Sequence, residues 1–211
     1  QNTCKIGFQT EIKSPSGQKI QSDYEMVTIL AGDTIHSLQT VIISHPEIWD
    51  IQTPNLYCAT TRIFNEKHLI DYELNKFGIR NFKFESKTGF WLNGHNLKIL
   101  GACVHHDGGA VGTAVPASVW ARRIQRLKQI GCNALRGAHT PMDQTFYNLC
   151  DSLGMLLLDE TFDTWTAAKP NGELMLKKQL YVYAITRVLY SIALVMKLEI
   201  ISTALKGVVT F

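Results

Sequence analysis

The sequence predicts a protein in two parts, a small antiparallel β-sandwich followed by a parallel α/β sheet. The first observation is a series of short β-rich runs, separated by turns, over residues 1 to about 85. The second is three apolar runs between Leu97 and Asp163, separated by two helical patterns and each ending in polar residues. Buried strands that alternate with helices are typical of parallel sheets. The change of pattern places the domain boundary near Ser86.

The composition is that of an ordinary globular protein. Hydrophobic residues make up 45% of the chain and charged residues 18%, and the net charge is +3, which is too small to favour a nucleic-acid partner. The five cysteines form no CxxC pair. No basic segment followed by an apolar run opens the sequence, so no signal peptide is visible, and a cytoplasmic and a periplasmic location both stay open.

The first part, residues 1–85, contains five β-rich runs with turn residues between them. They are Thr10–Lys13, Glu25–Leu30, Leu38–Ile43, Leu56–Phe64 and His68–Leu74. Ser14-Pro-Ser-Gly17 has the composition of a β-turn. The aromatic residues of this part are predicted to form its core, and they are Trp49, Tyr57, Phe64 and Phe77.

The second part, residues 86–173, opens with a hairpin whose turn is Asn93-Gly94, the dipeptide preferred in type I′ turns. Its clearest helix spans Ser118–Ile130 and ends before Gly131. The apolar face of that helix is predicted to hold Val119, Trp120, Ile124, Leu127 and Ile130. A second helix follows over Asp143–Leu153. These elements predict the order β-α-β-α-β.

Polar residues follow each of the three predicted strands, at the edge where α/β proteins concentrate their chemistry. They are His105, His106 and Asp107 after the first, Arg136 and His139 after the second, and Asp159, Glu160 and Asp163 after the third. Neighbouring residues on a strand point to opposite faces, so the two adjacent carboxylates cannot flank one bond. Imidazole is a good zinc ligand, but no HxH or HExxH spacing is present, so neither a metal nor a cofactor is predicted.

An ordered set of motifs resembles glycoside hydrolase family 2, with the closest likeness to β-galactosidases. The motifs are Pro54-Asn-Leu-Tyr57, Phe77-Gly-Ile-Arg80, Phe90-Trp-Leu-Asn-Gly94, Leu100-Gly-Ala-Cys-Val-His-His-Asp107, Gly131-Cys-Asn-Ala-Leu-Arg136, His139-Thr-Pro141, Leu149-Cys-Asp-Ser-Leu-Gly154, Leu158-Asp-Glu160 and Phe162-Asp-Thr-Trp165. The resemblance implies an immunoglobulin-like sandwich before the opening strands of a (β/α)8 TIM barrel. It also implies hydrolysis of terminal β-galactosides with retention, through a covalent intermediate. A truncated β-glucuronidase or β-mannosidase of the same family stays an alternative.

The resemblance also suggests roles for the polar residues. His106 and His139, in their neutral form, would donate hydrogen bonds to sugar hydroxyls, and Arg136 would help to hold the active-site carboxylates. Asp159 and Glu160 would support the site by holding arginine and histidine partners. Trp165 would be either a platform for the sugar or part of the core.

The chain is expected to be a fragment that is inactive by itself. The similarity is followed only to Glu173, whereas family members gain their acid/base glutamate, in an Asn-Glu pair, and their nucleophilic glutamate from later strands. Asn65-Glu66, the one such pair here, belongs to a sandwich strand. Residues 174–211 form an apolar tail of unclear origin, for which a frameshift is the leading hypothesis. Arg187 argues against a membrane span there.

Two further expectations concern partners. Three parallel strands leave an open edge, which favours self-association. The class that competes with an enzyme is a non-catalytic sandwich or sugar-binding module. Sugar binding at His139 or Trp165 would favour a sugar site over a purely structural module.

Overall fold

The computed structural model describes residues 3–160 and 206–210, which fall into two compact units. Within those residues, unit 1 contains 3–48, 55–79 and 206–210, and unit 2 contains 49–54 and 80–160. The elements, in chain order, are β1 (Cys4–Lys13), β2 (Lys19–Gln21), β3 (Glu25–Ile29), β4 (Thr40–Ser44), β5 (Tyr57–Asn65), β6 (His68–Phe77), β7 (Phe82–Glu85), β8 (Gly89–Leu92), β9 (His95–Asn96), β10 (Gly101–Val104), α1 (Ala117–Gln129), β11 (Ala134–Gly137), α2 (Gln144–Leu153), β12 (Leu156–Asp159) and β13 (Lys206–Thr210).

Unit 1 is built from antiparallel strands. Its larger sheet has the order β2-β1-β5-β6, with β3 also paired to β1, and β4 pairs separately with β13. Burial alternates along the strands, as in β4, where Val41 and Ile43 are buried between exposed neighbours. The buried hydrophobic residues of this unit also include Ile12, Tyr57 and Ala59. The predicted β-rich runs therefore each correspond to a strand, and β1, β4 and β5 contribute the buried core residues, whereas β6 has no buried residue.

Unit 2 begins with the antiparallel sheet β7-β8-β9 and continues into the parallel sheet β10-β11-β12. The predicted hairpin turn is present, because Asn93 and Gly94 both have positive φ between β8 and β9. Helices α1 and α2 connect the parallel strands and contribute Trp120, Ile124 and Phe146 to the buried core. The order β-α-β-α-β is as the sequence predicts.

One prediction about the apolar face of α1 is wrong. Ile130 is 78% exposed, because the helix ends at Gln129 and Ile130 is its C-cap residue, with non-helical backbone angles. The helical periodicity on which the prediction rested no longer applies once the chain turns at Gly131.

The placement of Trp49 also differs from the prediction. The residue is buried, but the loop 49–54 belongs to unit 2 rather than to the sandwich core. Its indole Nε1 donates a hydrogen bond to the Asp151 carbonyl oxygen at 2.7 Å. Lys128 Nζ secures the same loop by donating to the Ile51 carbonyl oxygen at 2.8 Å. Trp49 is thus a core residue of the second unit, although it lies among sandwich residues in the sequence.

The two helix-ending glycines give a matched pair of substitutions. Gly131→Ala should cost about 1–2 kcal/mol, because its φ of 95° disfavours any side chain while no atom lies within 4 Å of the added Cβ. Gly154→Ala should cost more, because its φ is 69° and the added Cβ would also lie 2.4 Å from the Ile51 carbonyl oxygen. Urea unfolding of both variants measures the difference, and equal losses would show that the contact with Ile51 is unimportant.

No helix within residues 3–160 or 206–210 is long and apolar enough to cross a lipid bilayer. The apolar segment 180–196, about which the sequence raised that question, lies outside the described residues.

Candidate active-site cluster at the strand ends

The parallel strands of unit 2 are aligned so that their polar residues meet at one edge. Cys103, Arg136 and Leu158 stand opposite one another across β10, β11 and β12. Leu135 packs into the core formed with α1 and α2. Since neighbouring strand residues point to opposite faces, Arg136 extends from the face that the helices do not cover.

Arg136 binds the carboxylate of Glu160, the residue that follows β12. Its Nε lies 2.8 Å from Glu160 Oε1, and its Nη2 donates to the same oxygen. The third nitrogen, Nη1, donates to Cys103 Sγ at 3.3 Å. Among the described residues, Glu160 is thus the carboxylate partner of Arg136.

His139 contacts the other oxygen of the same carboxylate, with its Nδ1 3.0 Å from Glu160 Oε2. The His139 ring packs edge-on against His105, with 5.4 Å between the ring centroids. Its side chain is 47% exposed, so a ligand can reach it. We call Arg136, His139 and Glu160 the strand-end cluster.

The charges of this cluster hold Glu160 in its ionised form. The hydrogen bond from Arg136, followed by that from His139, lowers the pKa of the Glu160 carboxyl, and burial opposes these effects only partly. A general acid needs a raised pKa, so Glu160 is suited to holding its neighbours rather than to donating a proton.

The Glu160 carboxylate also fixes the hydrogen-bonding role of His139. An ionised carboxylate only accepts, so Nδ1 of His139 must carry the proton that it shares with Glu160. In the neutral ring Nε2 is then an acceptor, and it becomes a donor only when the ring is protonated. The donation to a sugar hydroxyl predicted from the sequence therefore requires the imidazolium form, whereas neutral His139 accepts from such a hydroxyl.

Asp159 has a different partner from its neighbour Glu160. The hydroxyl of Tyr147, on α2, donates to Asp159 Oδ2 at 2.5 Å. The two adjacent carboxylates thus bind partners on opposite sides of the sheet, Asp159 on the side of α2 and Glu160 on the side of Arg136. Tyr147 is absent from the sequence-based candidates because nothing in a helical pattern shows which strand residue a tyrosine hydroxyl will meet.

The remaining candidates fall into two groups. Asp107 stabilises its own loop, where its Oδ1 accepts from the Gly109 amide at 2.7 Å, and within residues 3–160 neither Asp107 nor His106 is hydrogen-bonded to the strand-end cluster. Asp163 and Trp165 lie outside the described residues. In the part of the chain that the structure describes, no three His, Cys, Asp or Glu side chains are grouped so as to hold a metal ion.

Comparison with known proteins identifies the family. Residues 1–80 match the profile described as "Glycosyl hydrolases family 2", and residues 84–183 match "Glycosyl hydrolases family 2, TIM barrel domain", a match that extends past Glu173. The fold class is therefore a β-sandwich followed by part of a TIM barrel, as predicted. The chain belongs to glycoside hydrolase family 2.

The relatives that this chain resembles include proteins named as β-galactosidases and proteins named as β-glucuronidases. A β-galactosidase, BoGH2A of Bacteroides ovatus, is 34% identical over 160 residues, which cover 76% of this chain and 19% of that enzyme. A putative β-glucuronidase of Formosa agariphila is 41% identical over 128 residues, or 61% of this chain and 12% of the relative. The crystal structure of a family 2 member from Bacteroides cellulosilyticus aligns with a TM-score of 0.74 and 33% identity. That alignment covers 88% of this chain and 25% of the other. The chain thus spans a quarter or less of these proteins.

Proposed function

We propose that the strand-end cluster belongs to the sugar-binding site of a retaining glycosidase that cleaves terminal β-galactosides. The observation that carries this proposal is that Arg136 and His139 both bind the Glu160 carboxylate at the carboxyl ends of parallel strands. The His139 ring is also exposed, so a sugar can reach it. Such polar side chains, placed at a strand edge, suit the hydroxyl groups of a sugar. The β-galactosidase name of the Bacteroides ovatus relative supports the choice of substrate.

Within this proposed function, the strand-end cluster positions and binds the sugar. The two carboxylates that react with the sugar are neither Glu160 nor Asp159. Retention requires two carboxyl groups about 5–5.5 Å apart, one as nucleophile and one as acid/base. Glu160 is occupied by Arg136 and His139, and Asp159 by Tyr147. In the described residues no other carboxylate contacts the cluster. The one Asn-Glu pair of the sequence, Asn65-Glu66, lies in unit 1 and outside the parallel sheet, so we propose that the chain by itself is inactive.

We expect the purified chain to release no nitrophenol from 4-nitrophenyl β-D-galactoside above the buffer rate. The assay should be run beside the Glu160→Gln variant. Turnover by the natural chain that disappears in this variant would contradict the proposal, because it would make Glu160 a reacting group.

A β-glucuronide is the second candidate substrate. The putative β-glucuronidase of Formosa agariphila is more similar over its aligned region than the β-galactosidase is, which favours this alternative. Titration of the chain with galactose and with glucuronate, followed by the NMR signals of His139 and His105, tests both. Saturable shifts with galactose support the first proposal, shifts with glucuronate alone support the second, and no shift with either contradicts a sugar site.

We also propose that the chain associates with itself through the edges of its parallel sheet. Among the described strands, β10 and β12 each pair only with β11, so each has one open edge. Leu158 on β12 is 65% exposed. Open edges beside exposed apolar residues favour pairing between chains. Sedimentation velocity should show a mass that rises with concentration, and a monomer at all concentrations would contradict this.

A further inference from the structure

We infer that Tyr147 is a positioning residue, which holds Asp159 on the helix side of the sheet and thereby places Glu160 against Arg136 and His139. The contact that carries this inference is the hydrogen bond from the Tyr147 hydroxyl to Asp159 Oδ2 at 2.5 Å. Tyr147 is not one of the three cluster residues, and its hydroxyl binds Asp159, so we assign its effect on the cluster to Asp159. The purpose assigned to this arrangement, sugar binding, rests on the function proposed above.

Tyr147 is itself well fixed, because both ends of α2 are anchored. At the start of the helix, Asp143 Oδ1 accepts from the Phe146 amide at 3.0 Å, which is an N-cap. At its end, Gly154 adopts the left-handed conformation and its amide donates to the Cys150 carbonyl oxygen. The ring of Tyr147 also packs against the buried core. Its hydroxyl therefore reaches Asp159 from a rigid element.

Gly137, on the neighbouring strand β11, leaves space for the Asp159 carboxylate. Gly137 stands opposite Asp159 in the register of β11 and β12. A Cβ at position 137 would lie 3.1 Å from Asp159 Oδ1 and 2.8 Å from Met142 Cγ, so any side chain there would crowd the carboxylate. The absence of a side chain at Gly137 lets Asp159 lie beside the strand and meet Tyr147.

The position of Asp159 determines the position of Glu160. Successive residues of an extended chain point to opposite sides, so a carboxylate held toward the helices sends the next side chain to the face that carries Arg136. Without the Tyr147 hydroxyl, the Asp159 carboxylate loses this hydrogen bond, and the end of β12 is held less firmly in its orientation. Glu160 would then spend less time within reach of Arg136 and His139.

The test is the titration of the Glu160 carboxyl carbon by ¹³C NMR, with the signal assigned by its loss in Glu160→Gln. The charged groups that face this carboxyl are Arg136 and His139, with Asp159 next to it in the chain. We expect Tyr147→Phe to move the pKa of Glu160 up toward the ordinary glutamate value, and to weaken galactose binding about tenfold. The matched control is Tyr57→Phe, which removes a tyrosine hydroxyl that accepts a hydrogen bond in unit 1 and should leave the titration unchanged.

A folded Tyr147→Phe variant with the natural titration curve would overturn the inference. If that variant does not fold, Asp159→Ala gives a second test, in which the direction of the change in the Glu160 pKa decides the outcome. Loss of the neighbouring negative charge alone would lower the pKa of Glu160, whereas loss of the anchor would raise it. A rise supports the inference and a fall overturns it. The titration needs no sugar, so a shifted Glu160 in a chain that binds no galactose would sustain the positioning role and refute the sugar site.

Discussion

Replacement of Phe146 by alanine is expected to lower the free energy of unfolding of unit 2 by about 3–5 kcal/mol. Phe146 is completely buried on α2 and packs edge-on against Trp120, with 4.9 Å between the ring centroids. Its removal leaves a cavity between the two helices and the sheet, which close-packed neighbours fill only partly. Urea unfolding, followed by circular dichroism and tryptophan fluorescence, measures the loss.

The control for this substitution is Phe84→Ala. Phe84 is 70% exposed and its contacts are with Phe82 and Phe90, so its loss should cost only about 1 kcal/mol. Equal losses in the two variants would contradict a core centred on Phe146 and Trp120. Because Tyr147 follows Phe146 on the same helix, Phe146→Ala should also disturb the contact between Tyr147 and Asp159.

Glu160→Gln is expected to weaken galactose binding by at least roughly tenfold. The amide keeps the shape of the carboxylate but loses its charge, so Arg136 and His139 lose the group that holds them together. In addition, the amide nitrogen is a donor, and in one of its two orientations it opposes the Nδ1 proton of His139. Isothermal titration of both chains with galactose measures the change.

Glu85→Gln is the matched control for Glu160→Gln. Glu85 is also a carboxylate of unit 2 with a basic partner, because its Oε1 lies 2.6 Å from Lys83 Nζ, but it belongs to β7 and not to the strand-end cluster. Its substitution should leave galactose binding unchanged. Equal affinity of the natural chain and Glu160→Gln would contradict a role for the cluster in sugar binding, as would equal weakening in both variants.

The elements of the fold that depend on local sequence could be predicted. β-rich runs bounded by turn residues located β3, β4, β5, β6 and the end of β1 in unit 1, and Asn93-Gly94 located a turn that the structure contains. Gly131 and Gly154 marked the ends of the two helices within a residue or two. In each case the physical cause acts over a few neighbouring residues, so a single sequence displays it.

The contacts between distant segments could not be predicted in the same way. Burial of Trp49 was expected from its type, but its position in unit 2 depends on a hydrogen bond to Asp151, which lies about a hundred residues later. The contact of Tyr147 with Asp159 likewise joins a helix to a strand. The exposure of Ile130 follows from the exact end of α1, to which helical periodicity is insensitive.

The candidate site shows the same division. The position of polar residues after apolar runs indicated which edge of the sheet to inspect. The spacing did not show that Arg136 and His139 would share the carboxylate of Glu160, nor that His105 rather than His106 would lie beside His139. Those contacts depend on the register of three strands and on side-chain directions at their ends.

The central claim is that the strand-end cluster binds a sugar, and the most direct measurement is a crystal structure of this chain grown with saturating galactose. The predicted result is a galactose at the carboxyl ends of β10, β11 and β12, with one hydroxyl within hydrogen-bonding distance of His139 Nε2. A structure of the chain at the same galactose concentration that has no sugar at this edge, or has it only elsewhere, would contradict the claim.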